Sequence, residues 1–130
     1  MPMSMPPTPL FTRMSQVAIA SDEPVKLIAF YRDVLGFRYA FETGGMHFLD
    51  IGGVMFMIGP KYPGMTIGGD ATFYFEPTAW DATEVALEKA GVDFLSPVIV
   101  LQKAEGRDLA LRTFKDPEGH TLAMFGWRAA

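Results

Sequence analysis

The chain has 130 residues, a formal net charge of −4 and no cysteine, and 49% of it is hydrophobic. That length fits one folded domain; the cysteine count excludes disulfides, thiolate metal sites and cysteine nucleophiles. The acidic balance, with no basic cluster, argues against a nucleic-acid partner.

The first 13 residues, rich in Pro and Met, predict a flexible arm ahead of one domain over 14–130. Residues 1–9 lack the basic residues and long apolar stretch of a signal peptide. Residues 16–21 read as a strand. Asp22, Glu23 and Pro24 open a helix, with acidic residues and proline where a first turn accepts them. Val25, Ile28, Ala29, Val34 and Leu35 recur at helical spacing, Gly36 ends the helix, and 37–41 resumes as strand. Thr43-Gly44-Gly45 turns the chain into a hairpin of 46–51 and 54–58 around Gly52-Gly53, a pair suited to positive φ. Residues 51–58 are the closest approach to an apolar span and are too short to cross a bilayer. A cytoplasmic protein without a membrane partner is expected.

After a Gly- and Pro-rich linker, 59–70, the order repeats. Residues 72–76 read as strand, 80–90 as helix, Gly91 as its stop and 92–95 as strand. Residues 109–114 and 121–125 form a closing hairpin around Asp116-Pro117-Glu118-Gly119, a type I turn by its residue preferences. A shift of about 56 positions lays Gln16 on Thr72. The reading is α+β: two βαβββ modules, about 14–58 and 71–126, whose strands curve around an inner cup.

Three motifs carry a resemblance: Phe30-Tyr31-Arg32-Asp33-Val34-Leu35-Gly36-Phe37, Ala90-Gly91-Val92-Asp93-Phe94 and Asp116-Pro117-Glu118-Gly119-His120. They resemble the vicinal oxygen chelate superfamily, which includes glyoxalase I, extradiol dioxygenases, fosfomycin resistance enzymes and bleomycin resistance proteins. The resemblance implies four metal positions, at Gln16, Met57, Thr72 and Ala123, where the family usually has His or Gln, Glu, His or Gln, and Glu. Met57 offers a thioether, Thr72 a neutral hydroxyl and Ala123 no donor. The expectation is therefore no metal and no cofactor. His47, on the Leu49 and Phe56 face, and His120, facing outward with Leu122, supply no replacement.

Alternation places Gln16, Phe48, Asp50, Met55, Met57, Thr72, Tyr74, Glu76, Ala123 and Phe125 toward the cup. A four-residue loop at 116–119 would add Arg112, opposite Ala123, and Phe114. Arg112 then reads either as a residue that snorkels to water or pairs with Glu76 or Asp50, or as a clamp for an anionic ligand. Any single apolar member of this set reads equally as core; together they make an apolar, aromatic and Met-lined small-molecule site. The leading expectation is a metal-independent binding protein of the bleomycin resistance type, which the resemblance implies is a homodimer with ligand sites between subunits. Two alternatives stay open. One is a lyase, isomerase or dioxygenase with an atypical metal site, or with Tyr74 or Glu76 as metal-free acid or base. The other is a structural or regulatory dimer with a filled cup.

Overall fold

The computed structural model describes residues 8–130. Part of the predicted arm therefore lies outside the described residues. Of the rest, Arg13 donates through Nη2 to the Gly53 carbonyl and Ser15 accepts from the Met55 amide at 2.9 Å, so the chain is held from there onward.

The first module is β1 (Gln16–Ser21), α1 (Pro24–Ala29), β2 (Arg38–Thr43), β3 (Met46–Ile51) and β4 (Val54–Pro60). A π-helical segment, Phe30–Val34, extends α1. Gly36 ends it at φ +78°, with the Phe37 amide donating back to the Tyr31 carbonyl at 2.9 Å. Leu27, Ile28 and Tyr31, at ordinary helical spacing, pack inward, while Val25, which the sequence reading placed in the helical stripe, lies beside that face and is 74% exposed. The second module is β5 (Thr72–Phe75), α2 (Trp80–Lys89), β6 (Asp93–Phe94), β7 (Ile99–Ala104), β8 (Arg107–Lys115) and β9 (Thr121–Ala129). Strand β7, a partner of β8, has no counterpart in the sequence reading.

The modules give two open sheets, ordered β1-β4-β3-β2 and β5-β9-β8-β6. In each, the first strand runs parallel to the last (β1 with β4, β5 with β9) and the other pairs are antiparallel. The expected α+β architecture of paired modules is thus present. One face of each sheet enters a single shared core. Leu49, Phe56 and Ile58 come from the first sheet, Ala110, Phe114, Leu122 and Met124 from the second, and Leu27, Tyr31, Trp80 and Leu87 from the helices. Phe56 is the hinge of this core, with ring centroids 5.7 and 6.0 Å from Phe73 and Phe75 across the module boundary. No helix of the described residues is long and apolar enough to cross a membrane.

Candidate functional site

The other face of each sheet stays open. On the first sheet, the register β1–β4–β3 lines up Gln16, Met55 and Asp50, then Met57 and Phe48. Gln16 Nε2 lies 3.7 Å from Met57 Sδ. Phe41 stacks on Phe48 at 4.5 Å and 14° and is 47% exposed. A bulge between Tyr39 and Phe41 turns Phe41 to this face. Simple alternation from Tyr39 would have sent it to the core side, which is why the sequence reading missed it. Asp50 is held below the usual carboxylate range by the Arg38 guanidinium at 2.8 Å and by the Gly53 amide, although partial desolvation opposes the shift.

On the second sheet, Tyr74 pairs with Ala123, and Thr72 with Thr121. Tyr74 is 56% exposed and meets Phe125 edge-on at 5.7 Å. Ala123 is fully buried beneath its neighbours. The aromatic contacts that join the modules, Phe37–Phe75, Phe56–Phe73 and Phe56–Phe75, all lie on the core side. Gln16, Phe48, Asp50, Met55 and Met57 are therefore brought together on one open face, and Thr72, Tyr74, Ala123 and Phe125 on another.

Three predicted residues fall elsewhere. The closing loop is one residue longer than expected. The Gly119 amide closes a type I turn on the Asp116 carbonyl at 3.1 Å, Gly119 takes φ +93°, and the Asp116 amide donates to His120 at 3.1 Å. The ladder thus pairs Thr113 with Ala123 and Arg112 with Met124. That single step reverses both side chains. Phe114 is a core residue, 2% exposed. Arg112 lies against α2, where Nη1 meets Glu84 at 3.0 Å, Nε donates to the Ser96 carbonyl at 3.0 Å, and the guanidinium sits 3.7 Å over the Phe94 ring. Its partners are thus neither Glu76 nor Asp50, and it is no part of the cup. Glu76 follows the end of β5 and turns to the core side: a methyl group added at Gly126, a neighbour of buried Ala110, would sit 3.5 Å from its Cγ. There Glu76 borders a cleft of about 610 Å³ floored by Phe37, Phe75, Phe114 and Met124.

The turn itself forms a second polar centre. Asp116 Oδ2 accepts from the Tyr31 hydroxyl at 2.8 Å, and Oδ1 accepts from the Glu118 and His120 amides at 2.9 and 3.0 Å. Glu118 accepts from the Ser21 hydroxyl and, at 2.7 Å, from the Asp22 amide. His120 is 3% exposed and so buried rather than outward-facing. Every side-chain hydrogen bond between the modules, among the described residues, ends on this turn.

The metal positions do not fit a divalent ion. Gln16 and Met57 offer an amide and a thioether, Thr72 and Ala123 a hydroxyl and a methyl group. Among the described residues, no group of three His, Asp or Glu could hold an ion.

A family model described as the glyoxalase/bleomycin resistance protein/dioxygenase superfamily matches residues 13–124. The chain belongs to this superfamily. Solved structures show the same fold at low identity. An integron cassette protein from the mobile metagenome of Vibrio cholerae superposes with a TM-score of 0.74 at 18% identity, covering 91% of this chain and 97% of its own. TnmS3, an antibiotic binding protein from a Streptomyces species, gives 0.73 at 15%, covering 95% and 100%. A superfamily member from Sphaerobacter thermophilus gives 0.70 at 20%, covering 89% and 98%. No curated protein sequence matched the chain.

Proposed function

We propose that this protein binds a flat, apolar small molecule without a metal, between the open face of the first sheet in one copy and the open face of the second sheet in another. The observation that carries this reading is the pairing of two features on one surface. The metal positions lack anionic and imidazole donors, while the same faces carry half-exposed Phe41 stacked on buried Phe48, together with Met57 and the Tyr74–Phe125 pair. Such rings offer area and π-faces at low conformational cost, and thioethers adapt to irregular ligands.

Two copies are part of the reading because each open face is only half of a concave site. Within one chain the modules meet through the core side, and in this reading a second copy supplies the facing wall. The antibiotic-binding role named for TnmS3 favours binding over catalysis in a chain of the same fold. The acid–base alternative needs a desolvated Tyr74 or Glu76, and both side chains are exposed.

Phe41→Ala tests the reading. Phe41 is half-exposed, so the fold tolerates its loss, while a ligand stacked on the Phe41–Phe48 pair loses about 1 to 1.5 kcal/mol, or roughly tenfold in affinity. A panel of planar aromatic compounds titrated against both proteins measures this. Equal affinity for every binder would remove the open face from the site.

A further inference from the structure

We propose that His120 is a proton-held latch between the two modules: as an imidazolium it grips the first module through the Ala20 carbonyl and the closing turn through Asp116, and losing its proton loosens the docking. The argument begins with what each ring nitrogen faces. Nε2 lies 2.9 Å from the Ala20 carbonyl oxygen in β1. Nδ1 lies 2.7 Å from Asp116 Oδ2, an ion-pair contact whose direction is poor for a hydrogen bond. Both neighbours are acceptors. A neutral imidazole has one N–H and one lone pair, so it must turn a lone pair on one of them, in a buried setting. Only the doubly protonated ring suits both.

The groups around the ring support that charge. From the closing turn come Asp116 and Glu118, from the π-helical segment Tyr31, and from the linker Asp70, which lines a small cavity of about 280 Å³ shared with His120. Strand β1 contributes the Ala20 carbonyl and the Ser21 hydroxyl, with no charge. Burial pulls the imidazole's proton affinity down; Asp116, the Ala20 carbonyl and Glu118 together outweigh it, leaving the ring above its ordinary range. Asp116 is not a competing home for the proton, since Tyr31 and two amides already donate to its oxygens.

The latch matters because the closing turn carries all side-chain hydrogen bonds between the modules among the described residues. The remaining inter-module contacts named above are apolar and directionless. A His whose folded value is raised stabilises docking fully below its unfolded value of 6.5, and this contribution is lost as pH rises through the folded value.

The test uses the whole chain labelled with ¹⁵N-histidine. There are two histidines, and His47→Gln assigns the signals. Long-range ¹H–¹⁵N spectra at pH 7 are expected to show both His120 nitrogens protonated, with a titration midpoint above 6.5. The Asp22 amide, bonded to Glu118, should shift with the same midpoint. Between 6.5 and that midpoint the folding constant should fall by up to about tenfold per pH unit and level off above it, and His120→Gln should abolish that slope. A neutral single tautomer of His120 at pH 7 would overturn the proposal. So would an Asp22 amide that ignores the ring's titration, even if His120→Gln does not fold.

Discussion

Tyr31→Phe isolates the tether between the modules in one atom. The Tyr31 hydroxyl is fully buried and donates to Asp116 Oδ2 at 2.8 Å, while its ring packs on Phe56 at 5.0 Å and Phe37 at 5.4 Å. Phenylalanine keeps the ring contacts and deletes the donor. A hydrogen bond to a charged acceptor contributes about 1.5–3 kcal/mol, which for a chain of this size lowers Tm by about 6–12 °C. Urea unfolding at pH 7 measures the loss directly. The pH dependence gives a second check. Burial pushes the Asp116 carboxyl up, but the bonds from His120 and Tyr31 outweigh it and hold the group below 3.8. Its contribution is therefore present above 3.8 and lost as pH falls through the folded value. The gap between the two proteins should stay constant down to about pH 4 and narrow below it. A change under about 0.5 kcal/mol at pH 7 would refute the buried hydrogen bond. A gap that widens in acid would refute the ionised carboxylate.

Arg112→Met should cost about 1–3 kcal/mol, because the Ser96 carbonyl and a largely buried Glu84 lose their donor. Ligand affinity should stay unchanged; a loss for acidic ligands alone, with stability intact, would instead place Arg112 in the cup. Phe41→Ala should show the converse, weaker ligand binding with a thermal midpoint close to that of the unaltered protein.

Much of the fold is legible because punctuation and alternation agree. Gly36 and Gly91 stop the helices, and Gly52-Gly53 fixes Ile51 opposite Val54, so His47, Leu49 and Phe56 fall on the core face as their sequence positions imply. The π-helical turn at Phe30–Val34 carried no such punctuation, and the buried stripe is Leu27, Ile28 and Tyr31, with Val25 to one side of it. The closing turn is instructive in a different way. Its residues identify the family, yet the register depends on whether Gly119 ends the turn or extends it by one residue. Asp-Pro-Glu-Gly is also the pattern of a type I turn followed by a left-handed glycine, and that reading would have placed Arg112 and Phe114 correctly. The bulge that presents Phe41 left no comparable mark. Nor did the buried roles of Asp116 and His120, which arise only when the turn of one module meets β1 and the helix of the other.

Titration of a planar aromatic binder into chelator-treated protein, repeated after adding Zn, Ni, Mn or Fe(II), bears most directly on the proposed function. The donor set at Gln16, Met57, Thr72 and Ala123 predicts the same affinity in every case, with no stoichiometric metal on the purified protein. Binding that appears only after a metal is restored would contradict it.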